Sequence, residues 1–218
     1  MIRADAPCRH AGTCVPVVEP EPMIHGANPA NPEGKESSMI HYDLIPRTLV
    51  GNVFIASTEK GLCAVYVGDK TLDAFKAQLA RMFSDETLKK SPLHLKAYRK
   101  ELEEYFGGKR TSFTVPVDLS SVRSSFQRKV LRRLIAVPFG RVTSYGELAA
   151  HSGFPGAARA VGTTMASNPL SVVIPCHRVV AASGGLGGYS AGLSRKKKLL
   201  AHEGVPPTRS NLLKARSR

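Results

Sequence analysis

The sequence predicts an α+β protein: a small N-terminal α/β domain over residues 39–118, then a mainly helical C-terminal domain over residues 119–205. Three observations carry this. Two apolar runs rich in β-branched and aromatic residues flank a short polar turn, helical periodicity follows them, and two short helices joined by a glycine-containing turn give the second part a helix-turn-helix. Residues 1–38 are expected to be a disordered extension and residues 206–218 a basic tail.

The extension is rich in Pro, Glu, Gly and Asn and lacks apolar periodicity. Its Cys8, His10, Cys14 and His25 fit no common zinc spacing. The first element is a hairpin, LVGNVFIA, then STEK, then GLCAVYV, with Cys63 inside the second strand and expected in the core. Two helices are expected next. TLDAFKAQLARMF sets Leu72, Phe75, Leu79 and Phe83 near one face, and SPLHLKAYRKELEEYF has Pro92 near its start and Gly107 after its end. TSFTVPV reads as a further strand.

The second part opens with SSFQRKVLRRLIAV. Ser124 and Gln127 have capping-box spacing, and Phe126, Val130, Leu131, Leu134 and Ile135 share a face whose opposite side is basic. Ser144 and Glu147 have the same spacing at the start of SYGELAAH, and HSGFPG separates that helix from GAARAVGTTMASN. The small side chains around Arg159 suit a helix packed tightly inside the protein or one approaching a nucleic-acid groove. Ser171 to Ile174 reads as a short buried strand that Pro175 ends, placing Cys176 on the turn beyond it.

The formal charge is +14. Residues 1–38 hold three basic and five acidic residues, a net of −2, so residues 39–218 carry +16. Such a field favours polyanions, nucleic acid first. No apolar run reaches the ~18 residues that a membrane span needs, so no membrane partner is expected. The four cysteines, Cys8, Cys14, Cys63 and Cys176, show no disulfide framework and are expected as reduced thiols.

A cysteine attacks as its thiolate, and an imidazole is the usual acceptor of its proton. His177 adjoins Cys176, and Glu203 in LLAHEG is the leading carboxylate to orient it. Adjacent residues on a strand point apart, so contact needs the Pro175 turn or a bridging water. An isolated Cys-His pair is a weak signal, since most cysteines are inert small hydrophobes, and no second ligand pair makes it a zinc site.

The flanks decide. FGRVTSYGELA, AARAVG, NPLSVVIPCHRVV, GGYSAGL and RKKKLLAHEG, in this order from about Phe126 to Gly204, resemble the O6-alkylguanine-DNA alkyltransferases, also called methylated-DNA–protein-cysteine methyltransferases. Residues 39–118 resemble that family's smaller, ribonuclease-H-like domain in outline. The resemblance implies irreversible, single-turnover transfer of an alkyl group from guanine O6 to Cys176, after the nucleotide is rotated out of the duplex.

On this resemblance His177 acts through a water as base, Glu203 completes the relay, and Tyr145 donates a hydrogen bond to the guanine ring. Arg159 fills the vacated stack, with Tyr145, Ala158 and Ser144 also on the DNA. Asn168 braces the turn before the active segment, Pro175, Tyr189 and Ser190 belong to the pocket, and Lys196 approaches its rim. Arg178 serves structure or a phosphate contact. Ala191, where relatives often have glycine, narrows access for bulky alkyl groups. No cofactor and no metal are implied. The expected partner is double-stranded DNA containing O6-alkylguanine, met by a monomer in a bacterial cytoplasm or a eukaryotic nucleus. The rival readings are a noncatalytic lesion-binding module, a transcription regulator and a cysteine hydrolase.

Overall fold

The computed structural model describes residues 39–84, 86–206, 208 and 215–216. The expected extension, with its four candidate ligands, lies outside them, as does nearly all of the expected basic tail.

Four strands form one sheet: β1 (Met39–Thr48), β2 (Gly51–Thr58), β3 (Gly61–Val67) and β4 (Thr87–Lys90), in the order β3-β2-β1-β4. The β1–β2 and β2–β3 pairs are antiparallel hairpins, whereas β4 pairs parallel to β1. Sequence reading starts the sheet at Leu49 and so misses β1 and β4. The alternation in MIHYDLI is broken by buried Asp43, and the TLKK of β4 is polar enough to pass for a loop. Asp43 is tolerated inside because Arg99 Nη1 donates to it at 2.9 Å.

Alternation along the strands divides the side chains between two layers. Ile40, Tyr42, Phe54, Ala56 and Cys63 face helix α1 (Leu72–Met82), where Phe75 and Leu79 close a small core. Cys63 is fully buried there, as expected, and donates to Ala56 O. Ile45, Val53, Ile55, Val65 and Val67 face the other way, toward helix α2 (Lys96–Phe106) and the C-terminal helices. That second cluster runs from the sheet into the C-terminal part, so the two halves share one core. Helix α2 begins five residues later than the sequence suggests, because the SPLHL segment forms turns.

Two expected strands are not strands. TSFTVPV meets the sheet at one isolated bridge, Val117 opposite Leu62, with Leu62 N donating to Pro116 O and Asp118 N to Leu62 O. Ser171 to Ile174 forms a tight turn in which Ile174 N donates to Leu170 O and Val172 takes a φ of 76°. For Ser171 to Ile174, which is buried throughout, burial does not distinguish an extended ladder from a packed turn, whereas TSFTVPV is exposed or half-buried along its length. Both segments instead cover the free edge of β3. Val65 N donates to Pro169 O and Ser171 N to Val65 O, which pins the chain just before Cys176 onto the sheet.

The C-terminal part contains α3 (Ser125–Ile135), α4 (Tyr145–His151), α5 (Ala158–Ala166) and α6 (Leu193–His202), and a two-residue parallel pair, β5 (Thr143–Ser144) with β6 (Val179–Val180). At α4 both halves of the capping box are present: Glu147 N donates to Ser144 Oγ, and Ser144 N to the Glu147 carboxylate. At α3 only half is, since the Gln127 amide donates to Ser167 Oγ instead of returning to the cap. Helices α4 and α5 pack on each other across residues 152–157. Among the described residues no helix is long and apolar enough to cross a membrane.

Candidate active site

Pro175 ends the turn, and Cys176–Arg178 follow as one turn of 3₁₀ helix. The short helical turn rotates successive side chains, so Cys176 and His177 need not point oppositely as on a strand. Asn168 holds this approach: its Nδ2 donates to Ile174 O at 2.9 Å, while its Oδ1 accepts from Leu170 N at 3.0 Å. The Asn168–Ile174 bond spans the strained Val172, and the Leu170 bond fixes the start of the same turn.

Cys176 lies at the floor of a cavity of about 240 Å³, lined by Tyr145, Gly162, Met165, Ala166, Gly188, Tyr189 and Ser190. The Tyr145 phenol packs on the loop backbone beneath Gly187, where a Cβ would come within 2.6 Å of its oxygen, and accepts from Gly188 N. Glycine at 187 also supplies the φ of 68° there. Pro175 and Asn168 stand behind this wall and do not line it.

His177 is wholly buried, and its Nε2 lies 2.8 Å from Glu203 Oε1. With Glu203 ionised, Nε2 carries the hydrogen and Nδ1 keeps its lone pair. Nδ1 has no hydrogen-bond partner among the described residues. Glu203 sits just past the end of α6 and accepts four further bonds. Arg178 Nη2 donates to Oε1 and Arg178 Nε to Oε2, each at 2.9 Å, Tyr105 Oη donates to Oε1 at 2.7 Å, and Gly140 N to Oε2 at 3.4 Å. Burial by itself would raise the Glu203 carboxyl, but His177 and Arg178 outweigh it and hold it down at about 2.

Burial pushes the Cys176 thiol up, against an opposing hydrogen bond from Asn168, and pulls the His177 imidazole down despite Glu203. Both directions favour the neutral forms, a thiol beside a neutral imidazole. Ionisation must accompany attack on a substrate.

Two further placements differ from expectation, and a third takes one of two open alternatives. Lys196 is not at the pocket rim. It is fully buried, and its Nζ donates to Val179 O at 2.6 Å, Gly188 O at 3.2 Å and Leu186 O, strapping the loop to α6. Burial brings its ammonium down to about 8, still charged at neutral pH. The Ser144 hydroxyl is buried and occupied by the α4 cap, so it is not free to reach DNA. Arg178 is spent inside the protein on Glu203 and Val137 O, which excludes a phosphate contact. Arg159 is exposed on α5, with Ala158 before it half-buried. Among the described residues no group of three or more His, Cys, Asp or Glu side chains is arranged to hold a metal.

Tyr105 is the site residue that sequence reading missed. Its spacing from Leu102 marks it as core, and nothing in LEEYF announces a carboxylate partner 98 residues away.

The fold and site define a two-part α+β protein built around a buried Cys-His-Glu series that opens on one cavity. Residues 125–205 match a family described as 6-O-methylguanine DNA methyltransferase, DNA binding domain, and residues 40–119 match its ribonuclease-like domain. An inducible methylated-DNA–protein-cysteine methyltransferase of Bacillus subtilis is 36% identical over 149 residues, covering 68% of this chain and 82% of that protein. The Mycolicibacterium paratuberculosis methylated-DNA–protein-cysteine methyltransferase is 52% identical over 103 residues, covering 47% of this chain and 61% of the relative's length. Among solved structures, Mycobacterium tuberculosis OGT in complex with DNA superposes with a TM-score of 0.63 at 33% identity, covering 79% of this chain and 98% of that one. The chain belongs to the 6-O-methylguanine DNA methyltransferase family.

Proposed function

We propose that this protein repairs DNA by moving the alkyl group of O6-alkylguanine onto Cys176, once per molecule. The observation that carries the reading is Cys176 at the floor of the cavity with the His177–Glu203 pair directly behind it. In the transfer, Cys176 Sγ bonds to the alkyl carbon and the carbon–O6 bond breaks, its electron pair leaving with the base. The thiol proton passes to His177 Nδ1 through one water, and Glu203 stabilises the imidazolium that forms. Tyr145 hydrogen-bonds the departing guanine as charge develops on it.

A cavity of about 240 Å³ is smaller than the roughly 300 Å³ at which drug-sized ligand sites begin, and suits one heterocycle and a small alkyl group. The target nucleotide must therefore leave the duplex, at a cost of a few kcal/mol that is lower for a damaged pair. Arg159 on α5 is the side chain free to fill the gap, with α4 and α5 acting as a helix-turn-helix against DNA. Tyr189 and Ser190 then close over the base. The two matched segments favour reading residues 39–118 as a ribonuclease-H-like domain and residues 119–205 as the DNA-binding one. The protein acts as a monomer, and its bacterial relatives favour the cytoplasm. A noncatalytic lesion-binding module has no use for an intact acceptor thiol and its relay.

The test uses a duplex carrying isotopically labelled O6-methylguanine. Label is expected on the Cys176 peptide and absent in Cys176→Ala. Tight binding of the lesion with no gain in mass would refute the transfer.

A further inference from the structure

Glu203 Oε1 receives three donors, and one of them comes from the opposite half of the chain. Tyr105 projects from α2, is fully buried, and donates to Oε1 at 2.7 Å, as short as the His177 contact at 2.8 Å. Its ring is held by Phe113 at 5.4 Å between centroids and by His202 at 5.2 Å. The backbone is fixed as well, since His202 Nε2 donates to Tyr105 O at 2.7 Å. A buried tyrosine needs one partner for its hydroxyl, and almost any carbonyl would serve. Here the partner is the carboxylate behind the acceptor cysteine.

We propose that Tyr105 is a positioning residue for the alkyl-transfer relay: its phenol fixes the Glu203 carboxylate against His177 and, by drawing charge from Oε1, limits how readily the imidazole holds a proton. This rests on the transfer reading above. The charged or titratable groups facing the pair are Arg178, which neutralises the carboxylate, Lys196 and His202 from α6, Cys176, and Tyr105 itself. Tyr105 alone among them belongs to the N-terminal half. Without its donor, Oε1 keeps more negative charge, the protonated form of His177 is favoured, and the imidazole stops acting as a base at a higher pH.

The experiment measures Cys176 alkylation by iodoacetamide against pH, resolved by peptide mass from the other cysteines. In this probe Sγ bonds to the acetamide carbon, iodide leaves, and the proton goes through His177 to solvent. Tyr105→Phe is expected to move the acid-side midpoint upward by about half a pH unit, the order for one hydrogen bond lost one group away. Difluorotyrosine at position 105 keeps the ring and strengthens the donor, so it should move the midpoint downward even if Tyr105→Phe folds poorly. Phe113→Leu loosens the same packing without touching the hydroxyl and should leave the midpoint in place. An unmoved midpoint in the fluorinated protein, or an equal shift in Phe113→Leu, overturns the inference. The expected midpoint shifts in the Tyr105 variants, together with a wild-type protein that takes no label from O6-methylguanine DNA, would uphold the relay and refute the repair reading alone.

Discussion

Replacing Glu203 by glutamine exchanges one oxygen for an NH₂ group in a carboxylate that accepts five hydrogen bonds. The glutamine amide can still offer one oxygen, but its NH₂ must face an Arg178 donor whichever way it turns, with Gly140 N on one side or His177 and Tyr105 on the other. Arg178 is left buried with its partner uncharged. Two routes give the size of the loss. The carboxyl is held near 2 against a usual 4.5, and a shift of that size contributes about 3 kcal/mol to stability at neutral pH. Breaking one side of a buried ion pair costs about 3–5 kcal/mol, so the two agree on about 3 kcal/mol. The sign follows from a depressed folded-state pKa: the contribution is complete above pH 4.5 and is lost as pH falls toward 2. Urea melts of wild type and Glu203→Gln should therefore differ by about 3 kcal/mol at pH 7 and by less than half of that near pH 3. A difference below about 1 kcal/mol at pH 7, the net worth of one ordinary hydrogen bond, or a gap that does not narrow in acid, would refute the reasoning.

Two other substitutions separate stability from function. Arg159→Ala alters an exposed side chain, so unfolding free energy should stay within about 0.5 kcal/mol. Transfer from a duplex lesion should fall about tenfold or more, and transfer from the same lesion in single-stranded DNA much less, since only the duplex leaves a gap to fill. Equal losses on both substrates would remove Arg159 from that role. Lys196→Met leaves three backbone carbonyls without their donor and should cost about 2–4 kcal/mol in urea unfolding. Two of those carbonyls belong to the loop carrying Tyr189 and Ser190, so single-turnover transfer should slow as well. Full activity in a destabilised Lys196→Met would show that the loop holds its place without the strap.

The sequence alone determined what depends on neighbours along the chain. The β2–β3 hairpin, the amphipathic face of α3 and the capping box at Ser144 are set by residues within a turn or two of each other, and all are present, except that Ile135, expected on the α3 face, is exposed at the helix end. PCHR alone is a weak signal; its flanking motifs, through the family resemblance they carry, marked Cys176, His177 and Glu203 as candidates. Tertiary structure decided the rest. Whether buried Ser171 to Ile174 ran as a strand or turned through Val172 depended on the edge of β3, more than 100 residues earlier, which took one bridge and no ladder. Arg178 went to Glu203 instead of a phosphate because folding brought α6 against the 3₁₀ turn. Tyr105 became part of the site by the same packing. Periodicity records which side chains leave water, but a buried donor finds its acceptor only when distant segments meet, and no local pattern encodes that meeting.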